Sequence, residues 1–180
     1  VAPASTTAGA DINLALPVDG GTVDRLERAG NILQVVTATT STEVITTTAT
    51  YVDTTLTANI TPASTSNKIL VMVMQLFTIS NSASSGGAAI QVLRDSTSVY
   101  QPPANTGTFP FTRFFSITGA TAINNTQNEN LSFVDSPSST SALTYKTQGR
   151  PYAAGTTATF NPTGSLVAAT STIILMEIAG

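Results

Sequence analysis

Histidine, cysteine and tryptophan are absent from this 180-residue chain, and charged residues make up only 9% of it. Without His and Cys it lacks the commonest general base, the soft nucleophile and the usual zinc ligands, which excludes most catalytic schemes. Without Cys no disulfide framework exists, and the redox compartment stays undetermined. A net charge of −3 built from so few charged groups gives little field with which to hold nucleic acid. No apolar run reaches the roughly eighteen residues a membrane helix needs, and no basic region precedes an apolar core at the N-terminus. These absences predict a soluble chain with no nucleic-acid partner and no membrane insertion. The first residue is Val rather than Met, which leaves processing and a fragment boundary both open.

What is present is Ser and Thr, together more than a quarter of the chain. Thr is β-branched and suits pleated surfaces, and its hydroxyl keeps an outer face wet without charge. The stretch that organises the rest is Lys68 to Ser80. As a strand it sends Ile69, Val71, Val73, Phe77 and Ile79 to one side and Leu70, Met72, Met74 and Leu76 to the other. Both sides are apolar, so each needs a cover: one from the domain's own second sheet, the other from a neighbouring subunit. Leu70, Met72, Met74 and Leu76 are the expected subunit interface, with a core position the competing reading for Met72 and Met74.

Read in order, residues 1–30 form an extended arm, attaching the domain, and one short helix that starts at Thr22 and ends at Gly30. Residues 31–180 form the β domain. Strands are expected at 32–40, 42–48, 51–60, 68–80, 88–94, 97–100, 109–119, 131–134, 141–148, 157–161 and 170–178, with a hairpin turn at Asp95-Ser96 and loops at 81–87 and 121–130. Turns at this spacing without intervening helices predict an all-β antiparallel sandwich or barrel.

Chemistry-bearing constellations are few. Glu129 and Asp135 come nearest to a carboxylate pair, but an expected opposite-face placement in an Asn-rich setting favours solvated loop carboxylates over glycoside cleavage. No calcium loop, phosphate-cradling Gly run or Gly-x-Ser-x-Gly elbow occurs, so neither a cofactor nor a metal is called for and no catalytic residue is assigned. Sequons at Asn59, Asn124 and Asn130 are weak signals where Asn and Thr are common. Around 108–115, Phe111 and Arg113, with Tyr100 and Gln101 beside the Pro102-Pro103 loop, are the candidate receptor-facing residues, engaging sugar or protein; the competing reading places the Phe side chains in the core or a subunit seam.

The order Ile32-Leu33-Gln34-Val35-Val36, Tyr51-Val52-Asp53-Thr54, Ile60 to Val71, Asp135-Ser136-Pro137 and Thr144-Tyr145-Lys146, closed by Thr172 to Ile178, resembles a virion protein domain of tailed bacteriophages, widespread in marine and cyanobacterial phages. The resemblance spans about Gly30 to Gly180. It implies a jelly-roll-like β-sandwich, a homotrimer and a location in the virion. It further implies a fibre or tail-tip role, with contacts to other virion proteins through the N-terminal arm and to a host glycan or protein through loops; the short arm leaves a capsid decoration or head-fibre protein as the alternative. A carbohydrate-binding module and a polysaccharide depolymerase are the rival classes, the latter without a motif.

Overall fold

The computed structural model describes residues 28–83, 85–102, 113–116, 121–153, 155–164 and 169–180, the side chains of 113–115 excepted. Eleven strands occur among them: β1 (Ile32–Thr40), β2 (Val44–Thr46), β3 (Val52–Ile60), β4 (Lys68–Asn81), β5 (Ser85–Arg94), β6 (Thr97–Tyr100), β7 (Arg113–Ser116), β8 (Ile123–Asp135), β9 (Leu143–Pro151), β10 (Thr157–Phe160) and β11 (Ser171–Ile178). They form a six-stranded and a five-stranded antiparallel sheet. In the larger, β8 runs along one edge of β4, while β11 and then β10 share the other edge and lead to β1 and β2. In the smaller, the order is β3-β9-β5, with β6 and β7 both on the far side of β5. Most long strands alternate between the sheets in sequence, β1, β4, β8 and β11 in one and β3, β5 and β9 in the other. That path is a jelly roll, the all-β sandwich the alternating apolar pattern predicts.

The organising stretch is a strand, and its Ile69, Val71, Val73, Phe77 and Ile79 side is fully buried against Leu56, Ile90, Val92 and Tyr145 of the facing sheet. Gly149 on β9 admits the ring of Phe160: a Cβ there would stand 2.1 Å from its Cζ atom. On β3 the positions Thr54, Leu56, Ala58 and Ile60 are buried in alternation while Val52 is half-buried. A register shift between Asp53 and Thr57, with Thr55 at φ 68°, marks a bulge.

Two expectations are corrected. Residues 123–130, read as an Asn-rich loop, are the first part of β8, which pairs with β4 through thirteen unbroken positions from Ile69–Asp135 to Asn81–Ile123. The long neighbour supplies the ladder that Asn and Gln do not favour intrinsically. Residues 85–87, read as loop, open β5, where Gly86 lies so close to Ile123 and Ile79 that a Cβ would meet them at 2.8 and 2.9 Å. The arm and nearly all of the expected Thr22–Gly30 helix lie outside the described residues. Residues 28–30 form a turn with Gly30 at φ 92°, and no helix occurs among the described residues.

A polar clasp, unforeseen from sequence, sits inside the sandwich. Gln75 occupies an inner position of β4 and is fully buried, as are Thr54, Thr147, Asn161 and Ser171 around it. The Gln75 amide donates to Asn161 Oδ1 and to Ser171 Oγ, both at 2.8 Å, and its carbonyl accepts from Thr54 and Thr147 at 3.0 Å. Asn161, held at φ 51°, donates in turn to the carbonyls of Thr42 and Thr54. Every amide function in the pair is occupied, the condition under which a buried polar network specifies rather than destabilises a core.

At one pole, the buried Glu177 carboxylate accepts from Asn67 Nδ2 (2.6 Å), Gln34 Nε2 (2.6 Å) and the Ala63 amide (2.7 Å), tying the 61–67 connection to β1 and β11. Burial alone would push its pKa up. The three N–H donors outweigh that and hold it below the ordinary glutamate value. Because the folded value is the lower one, this stabilisation is complete above the unfolded glutamate pKa and is lost as pH falls through the folded value. Glu177→Gln is expected to flatten the acid limb of the stability curve. It is checked by urea unfolding from neutral pH down to about pH 3, in which the wild type loses more stability than the variant.

Candidate functional site

Among the described residues, the outer face of the larger sheet is the surface most unlike the rest. Strand register sets its side chains in rows across β1, β11, β4 and β8. One row is Val35, Met176, Leu70 and Val134; the next is Thr37, Ile174, Met72 and Ser132; the third is Thr39, Thr172, Met74 and Asn130. No charged side chain stands in these rows; Lys68 lies beyond them at the pole where Ile32 is exposed. Exposure is substantial for large apolar groups: Val35 55%, Val134 54%, Met74 40% and Met72 39%. Between Met72, Met74 and Ile174 a hollow of about 290 Å³ opens, flanked by Asn130, Ser132 and Thr172. Further along β4 the same face turns polar, with Thr78 hydrogen-bonded to Thr126 at 2.8 Å and Ser80 to Asn124 at 3.3 Å. The greasy part is thus a bounded patch toward the pole where β1 begins and β11 ends.

This patch carries all four residues expected at a subunit seam or their immediate surroundings. Met72 and Met74 are exposed, and Leu70 and Leu76 are half-buried. The sandwich covers only the opposite side of β4, so this side stays open in the single chain.

The other singled-out residues separate. Tyr100 is half-buried at the edge of the sandwich, its ring stacked on Phe133 with centroids 5.4 Å apart. Burial raises its hydroxyl pKa, with a smaller contribution from the charge of Glu129. Gln101 is exposed beyond the end of β6. Phe111 lies outside the described residues, and Arg113 opens β7 with its side chain outside them as well. Of these four, only the Tyr100 and Gln101 side chains are among the described residues.

Glu129 and Asp135 are also placed differently from the expectation of opposite faces on a loop. Both point inward from β8, Glu129 buried. Six residues along one strand put them roughly 20 Å apart, beyond the roughly 5–9.5 Å of glycosidase carboxylates. Asp135 is not a solvated loop carboxylate: it accepts from Arg94 and from the Tyr145 hydroxyl, each at 2.6 Å, and so joins β8 to the facing sheet. Burial raises the Tyr145 pKa, and the hydrogen bond to Asp135 adds to the effect, keeping the phenol a neutral donor. No group of His, Cys, Asp and Glu able to hold a metal occurs among the described residues.

No protein-family model matches the chain, and no curated protein matches it. Among solved structures, the infectious bursal disease virus VP2 subviral particle is similar at 15% identity and a TM-score of 0.36, over 93% of this chain and 42% of that one. The structure of the infectious bursal disease virus Gx strain is similar at 13% identity and a TM-score of 0.36, over 100% and 46%. The chain spans less than half the length of these chains. A likeness of this size carries no inference about function.

The apolar patch was legible from one strand, but its extent was not. Val35, Ile174, Met176 and Val134 come from three other strands and join it only through register. The signal that could have found them was that Ile173 to Ile178, like the organising strand, alternates two largely apolar faces apart from Glu177.

Proposed function

We propose that this chain is a structural subunit of a virus particle, of the tailed-bacteriophage kind its element order resembles, and that it works by assembling with copies of itself as a homotrimer. The observation that carries the reading is the uncharged apolar patch of Val35, Leu70, Met72, Met74, Val134, Ile174 and Met176 on the outer face of the larger sheet. Copies of an uncharged surface approach one another without like-charge repulsion, and each large apolar side chain removed from water contributes about 1.5–3 kcal/mol before association costs. Four or five such side chains per subunit outweigh those costs. The subunit belongs to a fibre or tail tip, is attached through residues 1–30 and meets the host surface through its loops. It acts by binding rather than by catalysis, and the Asp135 carboxylate is engaged in holding the two sheets together.

Sedimentation equilibrium tests the assembly. A three-chain mass that persists at micromolar concentration and in high salt is the expected result, because an apolar seam is not screened. A monomer under those conditions overturns the reading. Imaging an intact particle that carries a labelled copy of the chain decides between fibre and head surface.

A further inference from the structure

The chain has three methionines and no cysteine, and all three methionines, Met72, Met74 and Met176, stand on the outer face just described. None is in the sandwich interior, which is filled by Ile, Leu, Val, Phe and Tyr. Met72 and Met74 are neighbours but one along β4 and border the same hollow, at 39% and 40% exposure, while Met176 is half-buried two rows from Met74. The readily oxidised sulfur of the molecule is therefore concentrated on the least polar face among the described residues.

We propose that Met72 and Met74 are oxidation sites through which hydroperoxides control self-association of this face, an inference that rests on the assembly reading above. In the free subunit the thioether sulfur attacks one peroxide oxygen. The O–O bond breaks, an S–O bond forms, sulfur loses two electrons, and the proton of the attacked oxygen passes to the second oxygen, which leaves as water or, from an organic hydroperoxide, as the alcohol. The product sulfoxide is polar and chiral. In the seam it faces Ile174 and Thr172 of its own sheet and an apolar partner, so burying it leaves an unsatisfied oxygen acceptor. Each sulfoxide is expected to weaken association at least about tenfold. Once the trimer has formed, the same sulfur atoms are covered and the face is protected.

The test uses the full chain and hydrogen peroxide. Dilute dispersed subunits and concentrated assembled protein are exposed in parallel, oxygen incorporation at each methionine is read by peptide mass mapping, and mass in solution is read by sedimentation. Expected are oxidation of Met72 and Met74 at least about tenfold slower in the assembled sample, failure of the oxidised subunits to assemble, and recovery after treatment with methionine sulfoxide reductases of both stereochemical types. Equal oxidation rates in the two samples, or sulfoxide-bearing chains that still sediment as the untreated trimer, overturn the inference and leave the assembly reading standing. Untreated protein that is monomeric at every concentration overturns both.

Discussion

Replacing Asn161 by Ala is expected to cost about 3–5 kcal/mol of folding stability, a large part of what a domain of this size possesses. The Asn161 side chain receives hydrogen bonds from Gln75 and Ser171 and gives them to the carbonyls of Thr42 and Thr54. Its backbone amide also donates to the Leu76 carbonyl, at 3.0 Å. Truncation takes one of two acceptors from the buried Gln75 amide, which keeps Ser171, and removes the donors to the Thr42 and Thr54 carbonyls, the latter buried; each buried group left unsatisfied costs about 1–3 kcal/mol. It also places Ala at φ 51°, a conformation Asn tolerates better. Chemical denaturation monitored by far-UV circular dichroism measures the loss. Asn161→Asp separates the causes: it keeps the shape and much of the backbone tolerance but loses both donors to the carbonyls. Equal stability of Asn161→Ala and wild type would mean that the clasp contributes nothing.

Replacing Met72 by Asp is expected to abolish the trimer proposed above while leaving the sandwich folded. The side chain is at the middle of the apolar rows, beside Ile174 and Ser132, and on the solvent side of β4 in the isolated subunit. In the monomer the carboxylate is hydrated and costs little. In the seam three symmetry-related carboxylates would be brought out of water without cations, since no basic group stands in the rows. Uncompensated burial of a charge costs several kcal/mol per ion, which corresponds to a rise of at least about a thousandfold in the dissociation constant. Sedimentation velocity and thermal unfolding on one preparation check both halves of the expectation. A trimer that survives the substitution would move the seam elsewhere.

The parts of this fold that could be read in advance are those where the apolar period and the burial agree. Lys68 to Ser80 displays a two-sided apolar ribbon, and the structure buries one side and leaves the other open in part. Thr97 to Tyr100 and the Asp95-Ser96 turn were readable because a short loop between strand formers leaves few choices. Residues 123–130 were not: Asn and Gln carry loop statistics, and only pairing with a fourteen-residue neighbour makes them a strand. Gln75 was equally opaque. Alternation puts it on the inner side but shows no partner, and its four buried partners lie on other strands or beside them. The stacking of Tyr100 on Phe133 could not be read in advance either, because Phe133 belongs to the opposite sheet.

Antiparallel pairing of β1 with β11 brings the incoming and outgoing chain to one pole, where the Gly30 amide donates to the Ala179 carbonyl at 2.8 Å and the Ala179 amide to the Asn31 carbonyl at 2.9 Å. Mechanical load pulling these two chain ends apart therefore meets the ladder end-on, and its rungs give way one after another like a zip. Load running from residue 30 into a partner gripping the face of the sheet acts along the strands and strains many rungs together. The same hydrogen bonds thus resist load of the second kind far better than load of the first.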